Sequence, residues 1–101
     1  MAALPLRMSA LAGPHLERVR RCYRELGGAP RIHQLDQAIG DLLDRIREFP
    51  GAYAIWRGSI RRIVDPRFYL AIYYQIRTDH ILILIIADQR QDPRRLRFTA
   101  R

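Results

Sequence analysis

The sequence predicts a small α+β fold, a helical hairpin packed on a mostly antiparallel sheet of three to four strands. Three observations lead there. The chain has 101 residues, enough for a single domain spanning residues 1–101 around one core and too few for two. Its first half repeats apolar residues at steps of three and four, the period of a helix. Its second half turns to runs of Ile, Tyr and Leu broken by short polar pieces, the pattern of strands and turns.

Taking the elements in order, "ALPLRMSAL" from Ala3 to Leu11 reads as a short first strand. Pro5 lacks an amide proton, which confines that strand to an edge or Pro5 to its beginning. From "PHLERVRRCYREL", Leu16, Val19, Tyr23 and Leu26 fall on one helical face, with Glu17, Arg18, Arg20, Arg21 and Arg24 mostly elsewhere. The single cysteine, Cys22, sits among them and reads as a small core residue; it has no partner for an intramolecular disulfide, and a reducing cytoplasm fits.

"GGAP" then closes the first helix, with Gly27 suited to a left-handed cap and Pro30 to the first turn of the next. In "RIHQLDQAIGDLLDRIREFPG", Ile32, Leu35, Ile39, Leu42, Ile46 and Phe49 form a second apolar stripe, which Pro50 and Gly51 stop. Two such helices share an apolar face that needs a cover, and the remaining chain supplies it.

That cover begins with "AYAIWRGSIRRIVDP", one or two extended pieces, followed by the strand "RFYLAIYYQI", the turn "RTD" and the strand "HILILIIAD". In the middle strand Phe68, Leu70, Ile72, Tyr74 and Ile76 share one side, and Tyr69, Ala71, Tyr73 and Gln75 the other, less apolar one. Ile81 to Ile86 carries no polar alternate, so it is expected at the centre of the sheet, covered on both faces. At about 1.5–3 kcal/mol for each fully buried large apolar side chain, this strand contributes on the order of 10 kcal/mol of gross burial.

Charge points to the partner. Eighteen basic residues face ten acidic ones, a net charge of +8, and every basic residue is Arg. A GC-rich coding bias would account for Arg in place of Lys but not for the excess of positive charge. Guanidinium groups pair with phosphate or carboxylate and stack on flat rings, so the natural partner is anionic. No run approaches the roughly 20 apolar residues needed to cross a bilayer, and no membrane role is expected.

Motifs for other chemistry are missing. His15, His33 and His80 are scattered without ligand spacing, so no metal and no cofactor is expected. The glycines never form a phosphate-cradling loop. Asp36, Asp41, Asp44 and Glu48, interleaved with Arg45 and Arg47, read as a solvated ion-paired helix face. What remains is arginine. Arg57, Arg61 and Arg62 lead into the sheet and Arg90, Arg94, Arg95 and Arg97 leave it, and antiparallel neighbours are expected to bring the two groups into one positive, target-binding patch. Trp56 is expected to anchor the join between the second helix and the sheet.

The ordered set of a helix pair ending in "FPG", then "GSIRRIV", "FYLAIYYQI" and "HILILIIADQRQDPRRL", resembles the RelE/ParE superfamily of type II toxin–antitoxin toxins, the plasmid stabilisation proteins, over about Leu16 to Leu96. The resemblance implies a cytoplasmic, growth-inhibiting toxin neutralised by an acidic cognate antitoxin. Tyr69 and Tyr73 are the candidates for antitoxin contact. A RelE-like member would cut messenger RNA on the ribosome, with Arg61 or Arg62 and Arg90 as charge stabilisers. The sequence departs from that pattern: no His, Tyr, Lys or Glu follows His80, and Phe98 has no proton to give. Such chemistry would fall to Tyr69, Tyr73 or His80. A ParE-like member instead binds DNA gyrase and needs only a surface, which suits these residues better. A non-toxic, basic nucleic-acid-binding member of the same fold is the third reading.

Overall fold

The computed structural model describes residues 4–88. Five strands and one helical element follow in the order β1 (Leu6–Met8), α1 (Ala12–Glu48), β2 (Ile55–Arg57), β3 (Ile60–Asp65), β4 (Leu70–Ile76) and β5 (Ile81–Asp88). The strands form a single mixed sheet in the order β1-β5-β4-β3-β2. Two expectations change here. The sheet has five strands rather than three to four, because "ALPLRMSAL" and "AIWR" each add a three-residue edge. It is mixed because β1 runs parallel to β5, while the other pairings are antiparallel.

The expected helical hairpin forms, its two helices running on within Ala12–Glu48 and meeting at Gly28, whose φ of 68° and ψ of −156° lie outside the helical region. Only glycine adopts that conformation cheaply. The break reverses the chain, since Arg20 pairs with Asp36, 16 residues on, and a straight helix would hold them about 24 Å apart at 1.5 Å per residue. Gly27 has a different duty: a Cβ there would lie 2.8 Å from the Cβ of Arg31. Val19, Tyr23, Leu35, Ile39, Leu42 and Ile46 face the sheet. Two residues of the expected stripes, and the cysteine beside them, do not. Leu26 is 70 % exposed and Phe49 58 %, because they lie at the tips of the two arms, and Cys22 is exposed rather than core.

Burial on the sheet is two-sided. One core lies between helix and sheet and includes Ile63, Phe68, Leu70, Ile72, Tyr74, Ile81, Ile83 and Ile86. A second, on the outer face, contains Ala71, Tyr73, Leu82, Leu84, Ile85 and Ala87, with Trp56 and Ile60 against it and no described helical residue. β5, flanked by β1 and β4, is buried from Ile81 to Ala87, as its unbroken apolar run predicts. Its facing is not simple alternation. Tyr73 pairs with Ile85 and Tyr74 with Ile83, which leaves Leu84 as the extra residue of a β-bulge. Beyond the bulge the parity flips, so Ile86 joins Ile81 and Ile83 on the helix side.

Ser9 fastens three elements at this point. Its amide donates to Ile83 O at 2.8 Å and its hydroxyl to Leu84 O at 2.7 Å. The same Oγ accepts from the amides of Leu11 and Ala12 at 3.3 Å, where the helix begins. The bulge carbonyl and the first helical amides are thereby satisfied by one buried side chain.

Candidate functional site

On the outer face the edge strand β2 brings aromatic and cationic groups together. The guanidinium carbon of Arg57 sits 4.4 Å from the centre of the Trp56 ring, within the range of cation–π attraction. Trp56 in turn meets Tyr73 edge-on, ring centres 5.0 Å apart. Arg62 is the cross-strand partner of Tyr73 on β3, so it projects on the same face. A register shift between Ile55 and Arg57 lets Trp56 and Arg57 both serve this face. Trp56 therefore fixes β2 to the outer core rather than joining helix to sheet.

Arg61 points the other way. Adjacent strand residues face opposite sides, and Arg61 pairs with Tyr74 of the helix-side core. Its guanidinium donates to Tyr53 O at 2.7 Å and Gly51 O at 3.3 Å, holding the segment that leaves the helix. Close by, the Tyr74 hydroxyl donates to Pro50 O at 2.6 Å, and burial pushes its pKa up to about 12. The expected patch thus divides: Arg57 and Arg62 share a face, and Arg61 does not. Arg90, Arg94, Arg95 and Arg97 lie outside the described residues, as does Phe98.

The two tyrosines expected at an antitoxin contact also part. Tyr73 is 2 % exposed, covered in the outer core, and offers no surface. Tyr69 precedes β4 instead of belonging to it, is 48 % exposed and holds a φ of 50°. His80 lies in the turn before β5, the opposite end of the β4–β5 hairpin from Tyr69, so the two cannot share a reacting centre. His80 hydrogen bonds with Asp79 at 2.6 Å, which holds that carboxyl below its usual range.

Sequence reading missed the turn between β3 and β4. Asp65, buried, accepts from the Arg67 amide at 2.9 Å and from its guanidinium at 3.0 Å. The side-chain hydrogen bond from Arg67 holds the Asp65 carboxyl low, against the opposing effect of burial. Next to it, Phe68 carries two guanidinium groups on its ring, from Arg67 at 5.7 Å and from Arg31 of the helix at 4.7 Å. Arg31 and Phe68 are far apart in sequence and share no motif, so only the tertiary fold reveals the pair. On another side, Cys22 lines a cavity of about 180 Å³ with His15 and Arg18; burial, then Arg18, keeps the His15 imidazole below its usual pKa. Among the described residues no cluster of His, Cys, Asp or Glu is arranged to hold a metal ion. No described helix is long and apolar enough to cross a membrane.

No protein-family model matches the chain, and neither does any curated protein. Among solved structures it is similar to a chain of the one titled "Chromosomal ParDE TA system from P. aeruginosa". The TM-score is 0.65 at 15 % identity, covering 85 % of this chain and 96 % of that one. At that identity the likeness is one of fold.

Proposed function

We propose that this protein is the toxin of a type II toxin–antitoxin pair, a cytoplasmic growth inhibitor neutralised by an acidic cognate antitoxin. Its mode of action is ParE-like, by binding DNA gyrase. Support for the toxin role comes from the shared fold with a chain of a ParDE system and from the net charge of +8, which an acidic partner offsets and which speeds its association.

One observation carries the choice of a binder over a nuclease. The Arg61 guanidinium is committed to the carbonyls of Tyr53 and Gly51, so it serves the fold and not a scissile phosphate. Arg57, Trp56 and Arg62 on the outer face supply a surface of the aromatic and arginine composition that dominates binding interfaces. The RelE-like reading keeps Arg62 and Arg90 as its charge stabilisers, and the nucleic-acid-binding reading keeps the Arg57–Trp56 stack for a base.

Induced expression, with and without the product of the neighbouring gene, tests the toxin role: growth arrest that the neighbour relieves is expected, and unimpaired growth contradicts it. A gyrase supercoiling assay run beside ribosome-dependent messenger cleavage tests the target. Loss of supercoiling with intact messenger is expected; cut messenger with normal supercoiling favours the RelE-like reading instead.

A further inference from the structure

The helix side of the sheet carries a second arginine site, separate from the outer face. Arg31 lies over two rings, 5.4 Å from the centre of Tyr23 and 4.7 Å from that of Phe68. Tyr23 and Phe68 are themselves packed edge to face, and the Tyr23 hydroxyl donates to the Phe68 carbonyl. The guanidinium is thus held in place before any ligand arrives, which lowers the entropy cost of binding.

Among the described residues no carboxylate forms an ion pair with Arg31. Arg67, the other cation on Phe68, is paired with Asp65, but the described hydrogen bond of Arg31 goes to the neutral amide of Gln34 at 3.2 Å. Between Arg31, Arg67 and Phe68 opens a cleft of about 350 Å³, lined also by Gln37 and Asp41. A second lobe of about 370 Å³ lies across Arg67 and reaches Arg45 and Val64, with Asp41 and Arg67 common to both.

We propose that this cleft docks an acidic segment of a partner protein, with one carboxylate seated on Arg31 over the Phe68 ring. The inference rests on the toxin reading for the existence of such a partner. A guanidinium takes a carboxylate through two parallel hydrogen bonds. Two open lobes in series suit a chain better than a compact anion. Asp41 and Asp65 in the lining oppose the continuous charge of a nucleic-acid backbone, whereas a peptide can space its carboxylates to avoid them.

The test titrates the purified full chain into a short fluorescein-labelled peptide of Glu and Leu, its Gln/Leu analogue and a labelled single-stranded oligonucleotide. Binding of the Glu peptide over the Gln analogue is expected. Arg31→Gln should weaken it about tenfold or more, the value of a charge-assisted pair, while Arg21→Gln, the same charge loss at an exposed site on the first arm, should change it less than about twofold. Asp41→Asn should tighten it, an arm that leaves Arg31 untouched. Equal losses at Arg31 and Arg21, no tightening at Asp41, or Arg31-dependent preference for the oligonucleotide would overturn the proposal. Failure here with growth arrest intact removes the cleft and spares the toxin reading; binding here without growth arrest does the reverse.

Discussion

At the residue scale, neighbouring identical residues do different work. Arg61 and Arg62 look equivalent in "SIRRIV", yet one holds backbone carbonyls and the other faces outward with Tyr73. Arg61→Ala is expected to lower stability by about 1 kcal/mol, as for a lost intramolecular hydrogen bond, and Arg62→Ala to leave chemical denaturation midpoints nearly unchanged. Ser9→Ala should cost about 1–2 kcal/mol, since the Leu84 carbonyl and the first helical amides lose their partner together; urea denaturation measures it. Asp65 links stability to pH. Its carboxyl is held below the unfolded value, so the native state gains from it above that value, and the gain disappears as pH falls through the folded pKa. The stability difference between the wild type and Asp65→Asn should therefore be constant near neutrality and shrink below the ordinary carboxylate range.

Among the elements, the sequence spoke clearly where burial repeats with one period. The second helical arm and β5 are each long enough to show their pattern, and both form where expected. The bulge at Leu84 stayed hidden because an unbroken apolar run contains no polar residue to mark the change of face. Parallel pairing of β1 with β5 joins segments about 75 residues apart, and no local signal encodes such a contact. Cys22 and Leu26 were misread for a related reason: apolar spacing shows which side of a helix can be buried, not how far the sheet beneath it extends. Gly28 is the element's decisive residue. Gly28→Ala forces a side chain into a conformation close to glycine-only and should cost about 1–3 kcal/mol, whereas Gly40→Ala, inside a helix with open space around it, should be neutral or stabilising. Thermal denaturation of the two variants compares them directly.

For the whole molecule, the sheet separates two kinds of arginine site. Arg57 and Arg62 share the outer face with Trp56 and Tyr73, while Arg31 and Arg67 share a ring on the helix side. Part of this was legible: the strands and the residues feeding them could be read in order, but the side on which each guanidinium emerges depends on register shifts and turns that the residue types do not announce. The account assigns the outer face to the cellular target and the helix-side cleft to the neutralising partner. The most direct test is inhibition of gyrase supercoiling by the wild type and by the Arg57→Ala/Arg62→Ala double variant, at matched thermal midpoints. The account predicts that the wild type inhibits and that the double variant needs about tenfold more protein or worse, the loss expected of two interface arginines. Equal inhibition by both proteins, or none by either, would contradict it.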